Sequence, residues 1–222
     1  MFGFESDSTL LFLAAAFCAL CYLAICARPG KSWLKTVLKT ASVALLAVIA
    51  FLSGELMLLA AALMACAIGD FFLSRDEDEA FLTGVGAFAI GHLAYAALFY
   101  IHPSADLTRL EAGWPLVAAL LLLGVVMIVV LFRRAGPLRW AVVVYVPVIL
   151  LMGIMAIGIP LEGGLALILP AALLFIFSDF VLAQEMFVLD DSHRLRRVTP
   201  YAVWASYWSA QALFLVGLSV GA

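Results

Sequence analysis

Charge is scarce in this chain. Asp, Glu, Lys and Arg make up 12% of its 222 residues, while 67% are hydrophobic and the mean hydropathy is +1.18. Soluble domains average roughly 25% charged and about 45–50% apolar residues, so this composition excludes a soluble globular domain. Basic residues are missing ahead of the first apolar segment, where Glu5 and Asp7 stand. A cleavable signal needs a basic start, so this segment is expected to remain as a membrane span. Lysine stops at Lys39, which excludes a retinal-type Schiff base in a late span. Of the three histidines, His102 and His193 fall in connections. Cys18, Cys21, Cys26 and Cys66 fall in apolar spans with no histidines beside a Cys pair. Neither a zinc site nor a disulfide framework is indicated, and these cysteines read as small apolar filler. No metal, cofactor or nucleic-acid partner is expected. Long polar linkers are also lacking, so residues 1–222 read as one polytopic membrane domain.

What the chain does have is apolar runs. A membrane helix needs about 20 mostly apolar residues, and eight segments qualify: 8–27, 33–52, 56–73, 81–101, 114–132, 138–158, 163–185 and 200–220. The breaks carry turn chemistry, as in Arg28-Pro29-Gly30, Ser53-Gly54-Glu55, Gly136-Pro137 and Gly163-Gly164. The shortness of the second break predicts a tight antiparallel pair of spans two and three. Eleven of the twelve basic residues lie in or beside the odd-to-even connections: Arg28, Lys31, Lys35, Lys39, Arg75, Arg133, Arg134, Arg139, Arg194, Arg196 and Arg197. Only Arg109 lies on the other side. The positive-inside rule then places both termini outside the cytoplasm. The protein is expected to be an all-α, eight-helix, multi-pass protein, of the inner membrane if its source is bacterial. The acidic run Asp76-Glu77-Asp78-Glu79 reads as a solvated turn rather than a cation site. Gly84, Gly86 and Gly91 read as close helix packing, since no strand precedes them. Trp33, Trp114, Trp140, Trp204 and Trp208 mostly mark span ends, as an interfacial belt would.

Ionisable groups inside apolar spans are costly, by roughly 2.5–3.5 kcal/mol for an Asp on insertion scales, and so point to function. Asp70 and Asp179 both fall near the cytoplasmic ends of spans three and seven, which run from outside to inside. Their phrases, Gly69-Asp70-x-x-Leu73 and Ser178-Asp179-x-x-Leu182, echo each other four spans apart. That spacing is what a four-plus-four repeat produces. Each acid alone is explained by hydrogen bonding to a neighbouring helix. Two at similar depth also fit a shared pocket in which one carboxyl stays protonated while the other ionises. Sequence depth makes Asp179 the deeper of the two and the harder to ionise, which favours Asp179 as acid and Asp70 as base, although the sequence does not fix which of them donates. His92 lies mid-span with Tyr95 one turn on, and reads equally as a packing or a catalytic residue. Tyr207 and Gln211 form a polar stripe on the last span, and Tyr145 does something similar on the sixth; interhelical hydrogen bonds and function both fit. Lys39 either snorkels to the interface or meets a lipid phosphate.

Taken in order, Gly69-Asp70-x-x-Leu73, Phe81-x-x-Gly84, Phe88, His92-x-x-Tyr95, Phe99, Tyr145, Ser178-Asp179-x-x-Leu182-Ala183, Phe187 and Ser206-Tyr207-x-x-x-Gln211 resemble the lysoplasmalogenase family of eight-span membrane proteins, also called YhhN-like. The resemblance runs from span two to span eight. It implies hydrolysis of the vinyl ether bond of lysoplasmalogens to a fatty aldehyde and a glycerophospho-ethanolamine or -choline. It implies Asp70 and Asp179 as catalytic acids, with Lys39, His92, Tyr95, Tyr145, Tyr207 and Gln211 around a lysophospholipid substrate in the bilayer. A rival from another class is a lipid or small-solute transporter that uses the aspartates as proton or cation sites.

Overall fold

The structure, a computed structural model, describes residues 6–28, 30, 32–54, 56–75 and 77–220. Glu5, Pro29, Lys31, Glu55 and Asp76, used above as charges or break residues, lie outside the described residues. Nine α-helices and no strand occur among them: α1 (Ser6–Leu23), α2 (Trp33–Leu52), α3 (Met57–Leu73), α4 (Asp78–Ile101), α5 (Arg109–Ala112), α6 (Trp114–Arg134), α7 (Arg139–Ile157), α8 (Ile168–Phe187) and α9 (Thr199–Val220). Of these, α2, α4, α6, α7, α8 and α9 are long and apolar enough to cross a membrane, while α1 and α3 are shorter apolar helices. Every expected span has its helix, with shifted ends. The first stops at Leu23 and continues as a turn. The seventh begins only at Ile168, because Gly163–Leu167 coil as a 3-10 turn after Gly163 adopts a φ of +52°. The one-turn helix α5 was not expected.

Helix packing follows chain order: α1 on α2, α2 on α3, α3 on α4, α6 on α7, and α8 on α9. The turn between α2 and α3 is as tight as its length required, with Gly54 at a φ of +73°. Two further contacts close the bundle, α4 on α7 and α9 back onto α2 and α1. Helix α4 thus meets α7, and α9 meets α2. Helix α6 is peripheral, and buries one stripe, Leu120, Gly124, Met127 and Leu131, at helical spacing.

Small residues set the closest approach, between α3 and α4. A Cβ on Gly69 would lie 2.5 Å from the Phe88 ring, one on Gly84 would lie 2.9 Å from Leu73, and one on Gly91 would lie 2.7 Å from Cys66 Sγ. Gly69 thus admits Phe88 while Gly84 admits Leu73, an interlock that accounts for the spacing of both phrases. Gly86 departs from the expectation: nothing lies within 4 Å of a Cβ built there, because it turns away from α3. The tryptophans also divide. Trp33, Trp114 and Trp140 are exposed near helix ends, as a belt requires. Trp204 is buried and donates its indole N–H to the Ala19 carbonyl at 2.9 Å, so it ties α9 to α1 instead.

At the end of the bundle where α1, α3, α6 and α8 finish, here the basic end, two arginines fasten the helices. Arg75 donates to Thr36 Oγ1 at 2.9 Å and lies 4.0 Å over the Trp33 ring. Arg196 donates to the Glu185 and Leu189 carbonyls at 2.8 and 3.0 Å, where it satisfies the free carbonyls at the end of α8.

Candidate functional site

A cavity of about 260 Å³ opens inside the basic end of the bundle. Its polar part gathers Tyr22, Lys39, Asp70, Tyr145, Asp179 and Tyr207, from α1, α2, α3, α7, α8 and α9. Its apolar part runs between α6, α7 and α8, along Met127, Leu131, Val146, Ile149, Leu150 and Ile176. One wall is therefore charged and the other is hydrocarbon, the division a single-chain amphiphile requires.

Asp70 is fully buried. Lys39 Nζ lies 3.0 Å from its Oδ1, and the Tyr207 hydroxyl donates to its Oδ2 at 2.7 Å. The ammonium supplies the counter-charge for an anionic carboxylate. Lys39 therefore does not snorkel away from the bundle: opposite charge at a buried carboxylate outweighs the reach to water. Helix α3 brings Asp70 here because Gly69 lets Phe88 pack beneath it, and the Phe88 ring in turn meets Tyr207 edge-on at 5.8 Å.

Asp179 has different partners. The Tyr145 hydroxyl donates to its Oδ2 at 2.6 Å. His92 Nε2 lies 2.9 Å from the Tyr145 oxygen and 3.3 Å from the same carboxylate oxygen. Ser178 Oγ, buried, bonds the Phe175 carbonyl at 2.8 Å and stands 3.4 Å from Asp179 Oδ1. The Asp179 side chain is 15% exposed, against none for Asp70. Burial thus ranks the two acids opposite to their distance from the helix ends. Both line the cavity, but Lys39 and Tyr207 close over Asp70, whereas Asp179 is the more open of the two.

The two clusters correspond helix for helix. Asp70 on α3 takes one partner from α2 and one from α9; Asp179 on α8 takes one from α7 and one from α4. The two carboxylates line one cavity, yet each is held by its own pair of side chains rather than by the other.

The remaining candidates sit behind the wall. The Tyr95 hydroxyl donates to Gln211 Oε1 at 2.5 Å, and both residues are fully buried. Tyr95 packs on Phe214 at 4.4 Å. Neither Tyr95 nor Gln211 lines the cavity, and His92 reaches it only through Tyr145 and Asp179. A polar stripe on a helix shows that partners are needed, and does not distinguish a partner helix from a ligand. Residues that sequence reasoning missed include Tyr22, Cys26 and Glu185, which line the polar part. Tyr22 was legible as the one tyrosine in the first apolar run; Glu185, close to a helix end, looks like any solvated acid.

A model of the YhhN family matches residues 34–218. The chain is also similar to proteins called "Uncharacterized membrane protein YhhN" from Escherichia coli O6:H1, Escherichia coli O157:H7 and Shigella flexneri. Each is 28% identical over 181 residues, which cover 78% of this chain and 84% of the relative. No solved structure matches.

Proposed function

Because the chain belongs to the YhhN family of multi-pass membrane proteins, we propose that it is a hydrolase of vinyl ether lysolipids, with eight spans, both termini outside the cytoplasm, and Asp70 and Asp179 as its acid–base pair. One observation carries this reading: two carboxylates with separate partners border a cavity that is polar on one side and hydrocarbon on the other.

A vinyl ether is cleaved by protonating its β-carbon, the carbon not bonded to oxygen. The C=C pair forms the new C–H bond, and the positive charge moves to the oxocarbenium carbon and oxygen. Water adds to that carbon and gives up a proton to a base. The hemiacetal then breaks its C–O bond to the glycerol, leaving an aldehyde while the glycerol oxygen regains a proton. In this scheme Asp179 donates the first proton. Its partners are a phenol and an imidazole, and among the described residues no lysine or arginine forms an ion pair with it. Asp70, balanced by Lys39, receives the proton of water and faces the cation with negative charge. Positioned acid–base groups supply about 10²–10⁴-fold, and preorganised charge adds electrostatic stabilisation. Lys39 has three donors, one of them on Asp70; the others can meet the phosphate. Tyr207 fixes Asp70, while Tyr145 and His92 fix Asp179. Tyr95 and Gln211 hold α4 to α9 behind them.

The test is aldehyde release from a vinyl ether lysolipid by purified, folded protein in detergent. Steady aldehyde production supports the reading. Its absence, together with proton- or cation-coupled solute flux in vesicles, replaces hydrolysis with transport.

A further inference from the structure

A second concavity lies on the outer face of α4 and α7, and it shares a wall with the cavity. It is a groove of about 400 Å³, and its sides include Leu82, Val85 and Gly86 on α4, and Trp140, Val144 and Tyr145 on α7. These positions recur at helical spacing on each helix, so the groove follows the seam between the two. Leu82, Trp140 and Val144 are exposed, and a membrane-spanning bundle turns such a surface to lipid. Gly86 leaves the floor open, with nothing within 4 Å of a Cβ. Val85 and Tyr145 line both the groove and the cavity. These two side chains are therefore the partition between them, and the hydroxyl of Tyr145 is the one that binds Asp179 at 2.6 Å. At the basic end, Arg139 precedes the groove residue Trp140, and its exposed guanidinium lies 5.2 Å from the Phe132 ring and 6.0 Å from the Trp140 ring.

We propose that this groove is the lateral access route for the substrate, holding the hydrocarbon chain of a single-chain ether lysolipid taken from the bilayer, with its phosphate at Arg139 and the Val85–Tyr145 partition as the gate into the cavity. Three features select this occupant. The groove is apolar along its length, has the Arg139 cation next to Trp140 at one end, and shares its Val85–Tyr145 wall with a cavity that is itself divided between charge and hydrocarbon. A substrate that crossed water instead would have to extract its whole chain, at about 0.8 kcal/mol per CH₂. Only the ether lysolipid identity of the occupant rests on the hydrolase reading. Movement of Tyr145 would also couple access to Asp179, since the phenol that forms the gate is the donor to that carboxylate.

The experiment uses the full chain in phosphatidylcholine vesicles and a saturated 1-O-alkyl lysophospholipid with a diazirine in its chain, which has no vinyl ether to cleave. After irradiation, adducts are mapped by mass spectrometry. Saturable labelling is expected on residues 82–89 and 140–148, competed by unlabelled alkyl lysolipid. Gly86→Phe and Val144→Trp, from opposite sides of the groove, should each lower it about tenfold, the scale of a lost apolar fit. Arg139→Gln should raise the half-saturating concentration. Leu122→Phe, on the lipid-facing side of α6, should change nothing. Uniform labelling of all lipid-facing helices, which is bulk bilayer contact only, overturns the proposal, as does labelling that survives both groove substitutions. The readout needs no turnover, so a failure of vinyl ether hydrolysis leaves it intact. Conversely, if hydrolysis of a long-chain substrate keeps its kcat/KM in every folded groove variant, the access route is wrong and the reaction stands.

Discussion

Lys39 Nζ lies 3.0 Å from Asp70 Oδ1, and the carboxylate it meets is fully buried. Removing one member of such a pair leaves an uncompensated buried charge, which costs about 3–5 kcal/mol. Lys39→Met should therefore lower the thermal unfolding midpoint in detergent, and Lys39→Met with Asp70→Asn should recover much of that loss. A double variant less stable than Lys39→Met would show that the two groups are not coupled in this way.

Asp70 and Asp179 should behave as one unit in turnover. Under the proposed reaction, Asp70→Asn and Asp179→Asn each lower kcat by about 10²-fold or more, and the double variant is little worse than the poorer single one. Circular dichroism and unfolding midpoints confirm the fold of each. A folded single variant with near-normal aldehyde release would remove the aspartate pair from the mechanism.

Under the proposed reaction, Tyr145 and His92 act through Asp179, so loss of their donors should fall on kcat with KM held. Tyr145→Phe keeps the ring and removes the donor to Asp179, and about a tenfold fall in kcat is expected. His92→Gln, which retains a donor, should keep more activity than His92→Ala. Equal losses in the two histidine variants would mean that the imidazole itself transfers a proton.

The interlock of α3 and α4 can be tested by volume. Gly69→Ala places a methyl 2.5 Å from the Phe88 ring, and overpacking of this kind costs about 1–3 kcal/mol. Thermal unfolding should fall accordingly and be partly restored by adding Phe88→Leu. No restoration would locate the strain elsewhere.

Reporter fusions test the orientation. Fusions after Arg133 and Arg197 should report the cytoplasm, and one after Ala222 should report the far side. A cytoplasmic C-terminus would reverse the placement of the basic end, and with it the side from which the cavity is reached.

The sequence by itself determined that this is an all-helical membrane protein, where its helices fall, and which few ionisable groups lie among apolar ones. Those features are written in local composition: apolar runs of helical length and a costly acid in each of two of them are legible without any partner. It also placed Gly84 and Gly91 at close helix contacts, since a small residue amid large apolar ones marks an approach. Only the tertiary structure decided who meets whom. Asp70 faces Lys39 and Tyr207 rather than Asp179, Tyr95 and Gln211 satisfy each other behind the wall, and Gly86 opens outward while Gly84 and Gly91 pack inward. A helix offers several faces within one turn, and successive residues point about 100° apart. Which face becomes cavity, core or lipid surface depends on the helices around it, and those neighbours lie up to 185 residues away along the chain, as Ala19 and Trp204 do.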